Sequence, residues 1–209
     1  MRLLLIRHGE SSANAEGRLQ GRLDSPLSNR GRQQSALLAE RLAPLAAVAL
    51  YTSTLLRARQ TAEILGEQLG LAVAGRPELM ERDMGELAGL TLDEARTRFS
   101  GIARARAEGR PTGIPGFEED EPFSQRVRDV MRAIVDAHDD GAIAVITHGG
   151  VIGSFLRQTL GMPLSRRGPF AIDNASVTIL DVRHAQDSAR QRIQLIGLND
   201  TCHLDGLRP

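Results

Sequence analysis

The sequence contains no lysine, so all 26 of its fixed positive side chains are guanidiniums. They are matched by 26 carboxylates, which leaves a net charge of zero. No global basic field is available to recruit nucleic acid or an anionic membrane, and any anion site has to be local. The single cysteine, Cys202, excludes an internal disulfide and a cysteine-rich metal site, and it fits a reducing compartment. Long apolar runs are also missing. Nothing approaches the roughly 18 residues of a membrane span, and residues 1–6 are too few for the apolar region of a secretion signal. The expectation is a cytoplasmic protein with neither nucleic acid nor membrane as partner. No pattern in the chain reads on its oligomeric state.

What is present suffices for a packed core: 209 residues, 41% of them apolar, read as one domain over 1–209. Leu3–Ile6 is an aliphatic run of the kind that forms a strand buried on both faces, and it stops at Arg7-His8-Gly9-Glu10. After a turn-rich stretch, 9–27, Ser28 caps a helix predicted from Asn29 to Leu42, which Pro44 ends. Residues 47–52 form a second strand running into Ser53, and a helix follows to Leu69 with Gly70 as its C-cap. Residues 71–90 read as irregular, 91–107 as a helix, 109–122 as a loop and 122–138 as a helix. A third strand, 142–146, ends at Thr147-His148-Gly149-Gly150 and feeds a helix over 151–160. Two late strands, 175–182 and 192–197, complete the sheet. Alternating strands and helices predict an α/β fold, a three-layer α/β/α sandwich on a mostly parallel central sheet.

In such a sheet the ends of the first three strands, His8, Ser53 and His148, lie along one edge, where ligands of open α/β sheets bind. Arg57 falls in the first turn of the helix after Ser53 and reaches the same crevice. Arg7, Arg57, His8 and His148 together describe a site for a compact dianion such as phosphate, because guanidiniums offer forked, permanently charged donors. The helix opening at Gly149 adds backbone N–H groups and its dipole. Two histidines and a carboxylate also suit a metal, but neighbouring guanidiniums repel a cation, so no metal is expected. A dinucleotide site at Gly150-Val-Ile-Gly153 fails for another reason. His148 stands where the pattern's first glycine must make a tight turn.

Arg7-His8-Gly9-Glu10 with Asn14, Gln20-Gly21 with Asp24 and Pro26-Leu27, and Ser53-x-x-x-Arg57-Ala-x-Gln60-Thr61-Ala62 follow one another in the chain. Glu81-x-x-x-Gly85, His148-Gly149-Gly150-Val151, Asn174-Ala-Ser176-Val and Asn199-Asp200-Thr-x-His203-Leu204 come after them in order. These blocks resemble those of the histidine phosphatase superfamily, the phosphoglycerate mutase-like family, from residue 3 to about 204. The resemblance implies that fold, and it implies that His8 attacks phosphorus to form a phosphohistidine that water then hydrolyses. Arg7, Arg57 and His148 would hold the phosphoryl oxygens, and Asn14, Gln20, Gly21 and Gly149 would line the phosphate or substrate site. Glu81 would be the general acid, with Asp83 as runner-up and a surface charge cluster with Arg82 as the bland alternative. No cofactor is implied, and the partner is a small phosphorylated metabolite or phosphate.

Other residues are expected to serve lesser ends. Arg18 and Arg22 lie where they can touch substrate, His203 braces the site, His138 and His184 are structural or solvated, and Cys202 is an inert packed thiol. The acidic run 118–121 reads as a solvated loop and helix start rather than as catalytic groups. Gln20-Gly21 and the short interval between Glu81 and His148 resemble phosphatases, whereas Glu81-Arg82-x-x-Gly85 resembles the mutase spelling. A metal-independent phosphatase is therefore the first reading, a cofactor-dependent mutase-type phosphoryl transfer the second, and a non-catalytic phospho-ligand binder the third. Residues 91–122 are expected to cap the crevice and set specificity.

Overall fold

The computed structural model describes every residue except 109, 164–168, 185–190 and 208–209. The first residue of the predicted 109–122 loop and the end of the tail lie outside the described residues, as does the side chain of His184. The chain runs β1 (Arg2–Arg7), α1 (Ser12–Ala15), α2 (Asn29–Leu42), β2 (Ala47–Ser53), α3 (Leu56–Leu69) and β3 (Val73–Arg76). It continues with α4 (Leu92–Arg98), α5 (Ile102–Ala107), α6 (Asp120–Asp136), β4 (Ala142–Thr147), α7 (Gly149–Thr159), β5 (Val177–His184) and β6 (Gln191–Asp200).

One sheet of order β3-β2-β4-β1-β5-β6 carries all of these strands. The pairs among β3, β2, β4 and β1 are parallel, and β5 pairs antiparallel with both β1 and β6. Period-two alternation splits β1 between two layers. Leu3 and Leu5 pack with α6 and α7 through Phe123, Val127, Met131, Ile152 and Leu156. Leu4 and Ile6 pack with α2 and α3 through Leu38, Leu42, Ala58, Ala62 and Leu65. This is the expected α/β/α sandwich on a mostly parallel sheet. A third apolar cluster stands apart from both: Leu87, Ala95, Ile114 and Phe117, with Leu19 and Met84 against it.

Ser28 caps α2 by accepting from the Gly31 N–H at 3.0 Å, and Gly70 closes α3 at φ +67°. Several expectations are corrected. The stretch 9–27 contains the short helix α1, capped by Ser11. Residues 71–90 hold β3, an edge strand with little alternation that is defined by its parallel pairing to β2. The helix expected over 91–107 is two, because Phe99 leaves the helical region at φ −131°, ψ 58° and Ser100-Gly101 follows. α6 begins at Asp120, not 122. Pro122 is tolerated there because its missing N–H belongs to the unsatisfied first turn. It also ends at Asp136, before His138.

Candidate active site

Strand register sets the centre of the site. Arg7 on β1 pairs with Thr147 on β4, and the His8 N–H donates to the Thr147 carbonyl at 3.0 Å. The next residues on the two strands are therefore neighbours, and the His8 and His148 rings lie with centroids 5.0 Å apart. Both are buried. Burial above all, then the charges of Arg57 and Arg7, hold both imidazoles well below the ordinary histidine range, so they are neutral.

The tautomer of His8 follows from its partners. Nδ1 is 2.7 Å from the Gly9 carbonyl and must donate to it, which leaves Nε2 as the basic nitrogen. Nε2 accepts from Arg57 Nε at 3.2 Å. Arg57 is itself buried, and the rest of its guanidinium is held by the first loop. Nη1 donates to the Leu23 carbonyl and Nη2 to the Gly21 carbonyl, each at 2.8 Å. Burial lowers Arg57 to about 10, against the raising influence of Glu81 and Asp24, so it keeps its charge at neutral pH. Asp24 also caps α3 from a distance by accepting the Leu56 N–H at 2.8 Å.

Further ties hold this floor in place. Thr61 takes the Gly9 N–H at 3.1 Å, and Gln60 takes the Leu27 N–H at 2.8 Å. Asn174 Nδ2 reaches both the His8 carbonyl and Asn14 Oδ1. Asn14 Oδ1 accepts also from the Ser11 N–H and hydroxyl, and Gln20 Oε1 accepts from Ser11 too. The Ser11 hydroxyl has one hydrogen for these two oxygens, and both amide residues also line the cavity that His8 lines.

Two buried nitrogens at this place have no hydrogen-bond partner among the described residues: Arg7 Nε, a donor, and His148 Nδ1, which is a donor in the tautomer whose Nε2 accepts from the Ser53 hydroxyl. Arg7 is anchored through Nη1 to the Ile172 carbonyl at 2.6 Å, and His148 through Nε2 to the Ser53 hydroxyl at 2.8 Å. An unsatisfied buried polar group is costly, so each of these nitrogens calls for a partner.

Glu81 completes the set. Its Oε2 accepts from the Gly150 N–H at 2.9 Å and its Oε1 from the Arg82 N–H at 2.7 Å. A Cβ on Gly150 would lie 2.1 Å from Oε1, so any side chain there would push the carboxylate from this position. The residues meet at a cavity of about 360 Å³ lined by Arg7, His8, Asn14, Gln20, Gly21, Arg57, Glu81 and Gly149, with Arg18, Leu19, Arg82, Met84 and Gly150 around them. Its size suits a small molecule.

Every expected site residue except His148 lines this cavity, and His148 is in ring contact with His8. Arg18 reaches the rim, but Arg22 is turned away onto Asp83 and Glu118. Arg82 is not part of a surface cluster. It is buried, bonded to the Glu118 carbonyl and Asp120, with its guanidinium 4.1 Å from the centroid of the Phe123 ring. His203 contacts Arg41, which forks onto Asp200, and it does not line the cavity. His138 bonds the Tyr51 hydroxyl at 2.9 Å. Cys202 is exposed rather than packed, because the turn after β6 buries Leu204 instead. Sequence reasoning missed Leu19 and Met84 as lining residues and Asp24 as a remote cap. Gln60 and Thr61 stood in a recognisable block, yet their roles needed the fold.

Among the described residues no group of three or more His, Cys, Asp or Glu is placed to hold a metal ion, and no helix is long and apolar enough to cross a membrane.

Residues 3–194 match the histidine phosphatase superfamily (branch 1). The probable phosphoglycerate mutase GpmB of Cronobacter sakazakii (strain ATCC BAA-894) is 32% identical over 186 residues, 88% of this chain and 86% of that protein. Its namesake in Salmonella paratyphi C (strain RKS4594) is 30% identical over 98% of this chain and 95% of its own. Among solved structures, a mycobacterial glucosyl-3-phosphoglycerate phosphatase in complex with VO3 superposes with a TM-score of 0.82 at 30% identity, covering 95% of this chain and 98% of that one. A putative alpha-ribazole-5'-P phosphatase from Escherichia coli str. K-12 substr. MG1655 gives 0.82 at 28% identity over 96% and 98%. Matched along most of its length, and in the order of its blocks, the chain belongs to the histidine phosphatase superfamily.

Proposed function

We propose that the protein is a metal-independent phosphatase that hydrolyses a phosphomonoester of a small metabolite through a phosphohistidine on His8. The observation that carries this reading is the pair of unpartnered buried nitrogens, Arg7 Nε and His148 Nδ1, beside an imidazole whose basic nitrogen is Nε2. A phosphoryl group in the cavity supplies the acceptors that these nitrogens lack. Its charge meets Arg7 and Arg57, and Asn14 and Gln20 add neutral donors. The guanidiniums take the charge-neutralising part that a metal ion would otherwise play.

In the first step Nε2 forms a bond to phosphorus as the bond to the ester oxygen breaks. Nδ1–H stays on the Gly9 carbonyl and spreads the developing imidazolium charge. Glu81 delivers a proton to the leaving alkoxide. In the second step water attacks phosphorus, Glu81 takes its proton, the N–P bond breaks and inorganic phosphate leaves. The neutral state of His8 keeps the nucleophile ready without a base. Family and neighbours support the class of phosphomonoester hydrolase, and two neighbours are named for phosphate esters of small metabolites.

Residues 91–122 are read as a cap. Ala95, Ile114 and Phe117 share their apolar cluster with Leu19 and Met84, which themselves line the cavity, so this segment bears on what the leaving group meets.

The relatives named as probable mutases, and the Glu81-Arg82 spelling, keep mutase-type transfer as the second reading. One experiment separates the readings. Hydrolysis of p-nitrophenyl phosphate with EDTA present, loss of turnover in His8→Ala, and acid-labile phosphate on wild-type protein quenched during turnover are the expected results. Interconversion of 3- and 2-phosphoglycerate without net phosphate release would favour the mutase. Phosphate-ester binding without turnover would favour a non-catalytic binder.

A further inference from the structure

The segment that carries Glu81 has little backbone ladder of its own, and side chains from elsewhere hold it instead. Arg126 on α6 donates through Nη1 to the Glu78 carbonyl at 2.6 Å and the Met80 carbonyl at 2.9 Å, while Thr147 donates to the Leu79 carbonyl at 2.7 Å. The rest of the Arg126 guanidinium is forked onto Glu118, Nε to Oε1 at 2.9 Å and Nη2 to Oε2 at 2.7 Å. Glu118 Oε2 also accepts the Asp83 N–H at 3.1 Å, and its backbone pairs with the segment twice. The Glu118 N–H donates to the Asp83 carbonyl at 2.9 Å, and the Glu118 carbonyl accepts from Arg82 Nη1 at 2.8 Å. Arg22 touches the same carboxylate more loosely, at 3.3 Å.

Glu118 therefore grips the chain on the far side of Glu81 and also orients the arginine that grips the near side. We propose that Glu118 is a positioning residue for the general acid: together with Arg126 it sets where the Glu81 carboxyl stands relative to the leaving oxygen. It touches neither substrate nor the reacting atoms. This inference rests on the phosphatase reading above, with Glu81 as the acid. A shift of a fraction of an ångström at a proton donor is felt in proportion to the need for the proton. An alkoxide needs that proton to leave, and nitrophenolate does not.

The test compares β-glycerol phosphate with p-nitrophenyl phosphate in Glu118→Gln, Glu81→Gln and the double variant. Glu118→Gln is expected to lower kcat/KM, which reports the transfer to His8 and not the hydrolysis step shared by both esters, by at least about tenfold on the alkyl ester while kcat/KM on the nitrophenyl ester stays within about threefold. Glu81→Gln should show the same selectivity, more strongly. In the double variant the Glu118 substitution should add nothing further on the alkyl ester, since its effect passes through Glu81. Arg126→Lys, which keeps the charge but loses the fork, should repeat the pattern if Glu118→Gln does not fold.

Equal losses of kcat/KM on both esters, or a full Glu118 effect persisting in the Glu81→Gln background, would overturn the inference alone. If Glu81→Gln is itself unselective between the esters, the assignment of the acid falls, and the inference with it.

Discussion

Arg57 spends one N–H of each of its three nitrogens on the protein, one on His8 and two on carbonyls of the loop that wraps it. A lysine has no fork and cannot replace these bonds together. Arg57→Lys is expected to lower kcat/KM by at least about a hundredfold and to destabilise the fold by about 2–4 kcal/mol, read from steady-state kinetics and urea titration. The two neutral imidazoles have a consequence for pH. Burial first, then neighbouring arginines, keep protons off His8 and His148 in the folded chain, whereas the unfolded chain binds them below about pH 6.5. Stability is therefore full above that value and falls as the pH drops from it toward the lower folded values. Melting temperature against pH checks this, and His8→Gln should remove a large part of the slope. At Gly150 a methyl group would collide with Glu81. Gly150→Ala is expected to displace the carboxylate and to cost activity on alkyl esters before it costs folding. Arg7, His8, Arg57 and His148 were legible as a group because each lies at a strand end or in the first turn of the helix that follows one. The partners of Arg57 were not legible, since Gly21 and Leu23 act through carbonyls and leave no side-chain signature.

At the scale of elements, the well-read parts are those with strong local chemistry: Ser28 before α2, Gly70 after α3, the unbroken apolar run of β4. Those misread depend on distant partners. β3 is a strand because β2 lies beside it, and the break between α4 and α5 lies at Phe99, in a stretch whose propensity is helical on both sides. The third apolar cluster could not be separated by sequence from the two main ones, since its leucines and phenylalanine carry no label of layer. Its separateness makes a prediction. Phe117→Ala is expected to weaken the cap locally by about 3 kcal/mol, with faster hydrogen exchange over 84–117 and unchanged protection in β1 and β4. Global loss of protection would mean that the cap and the sheet are one cooperative unit.

For the whole molecule, β1 is shared by both layers: Leu4 faces α2 and α3, and Leu5 faces α6 and α7. Leu4→Ala and Leu5→Ala should each cost about 2–5 kcal/mol and shift one and the same unfolding transition, monitored by far-UV circular dichroism. Two transitions that respond separately would show layers that fold on their own. That β1, β2 and β4 run parallel was legible because these strands alternate with helices, whereas β3 and the order of strands in the sheet were not. The place of β5 and β6 was not, because either edge of a sheet accepts an antiparallel hairpin.

The spacing of the two imidazoles is written in backbone hydrogen bonds between adjacent strands, while Leu19 and Met84, which also line the cavity, belong to the separate apolar cluster. A combinatorial library that randomises positions in 84–117 and leaves β1 and β4 untouched would retain the phosphorus-handling couple in every folded member. New substrate preferences on this scaffold then become a matter of transplanting surface segments, with no redesign of the centre.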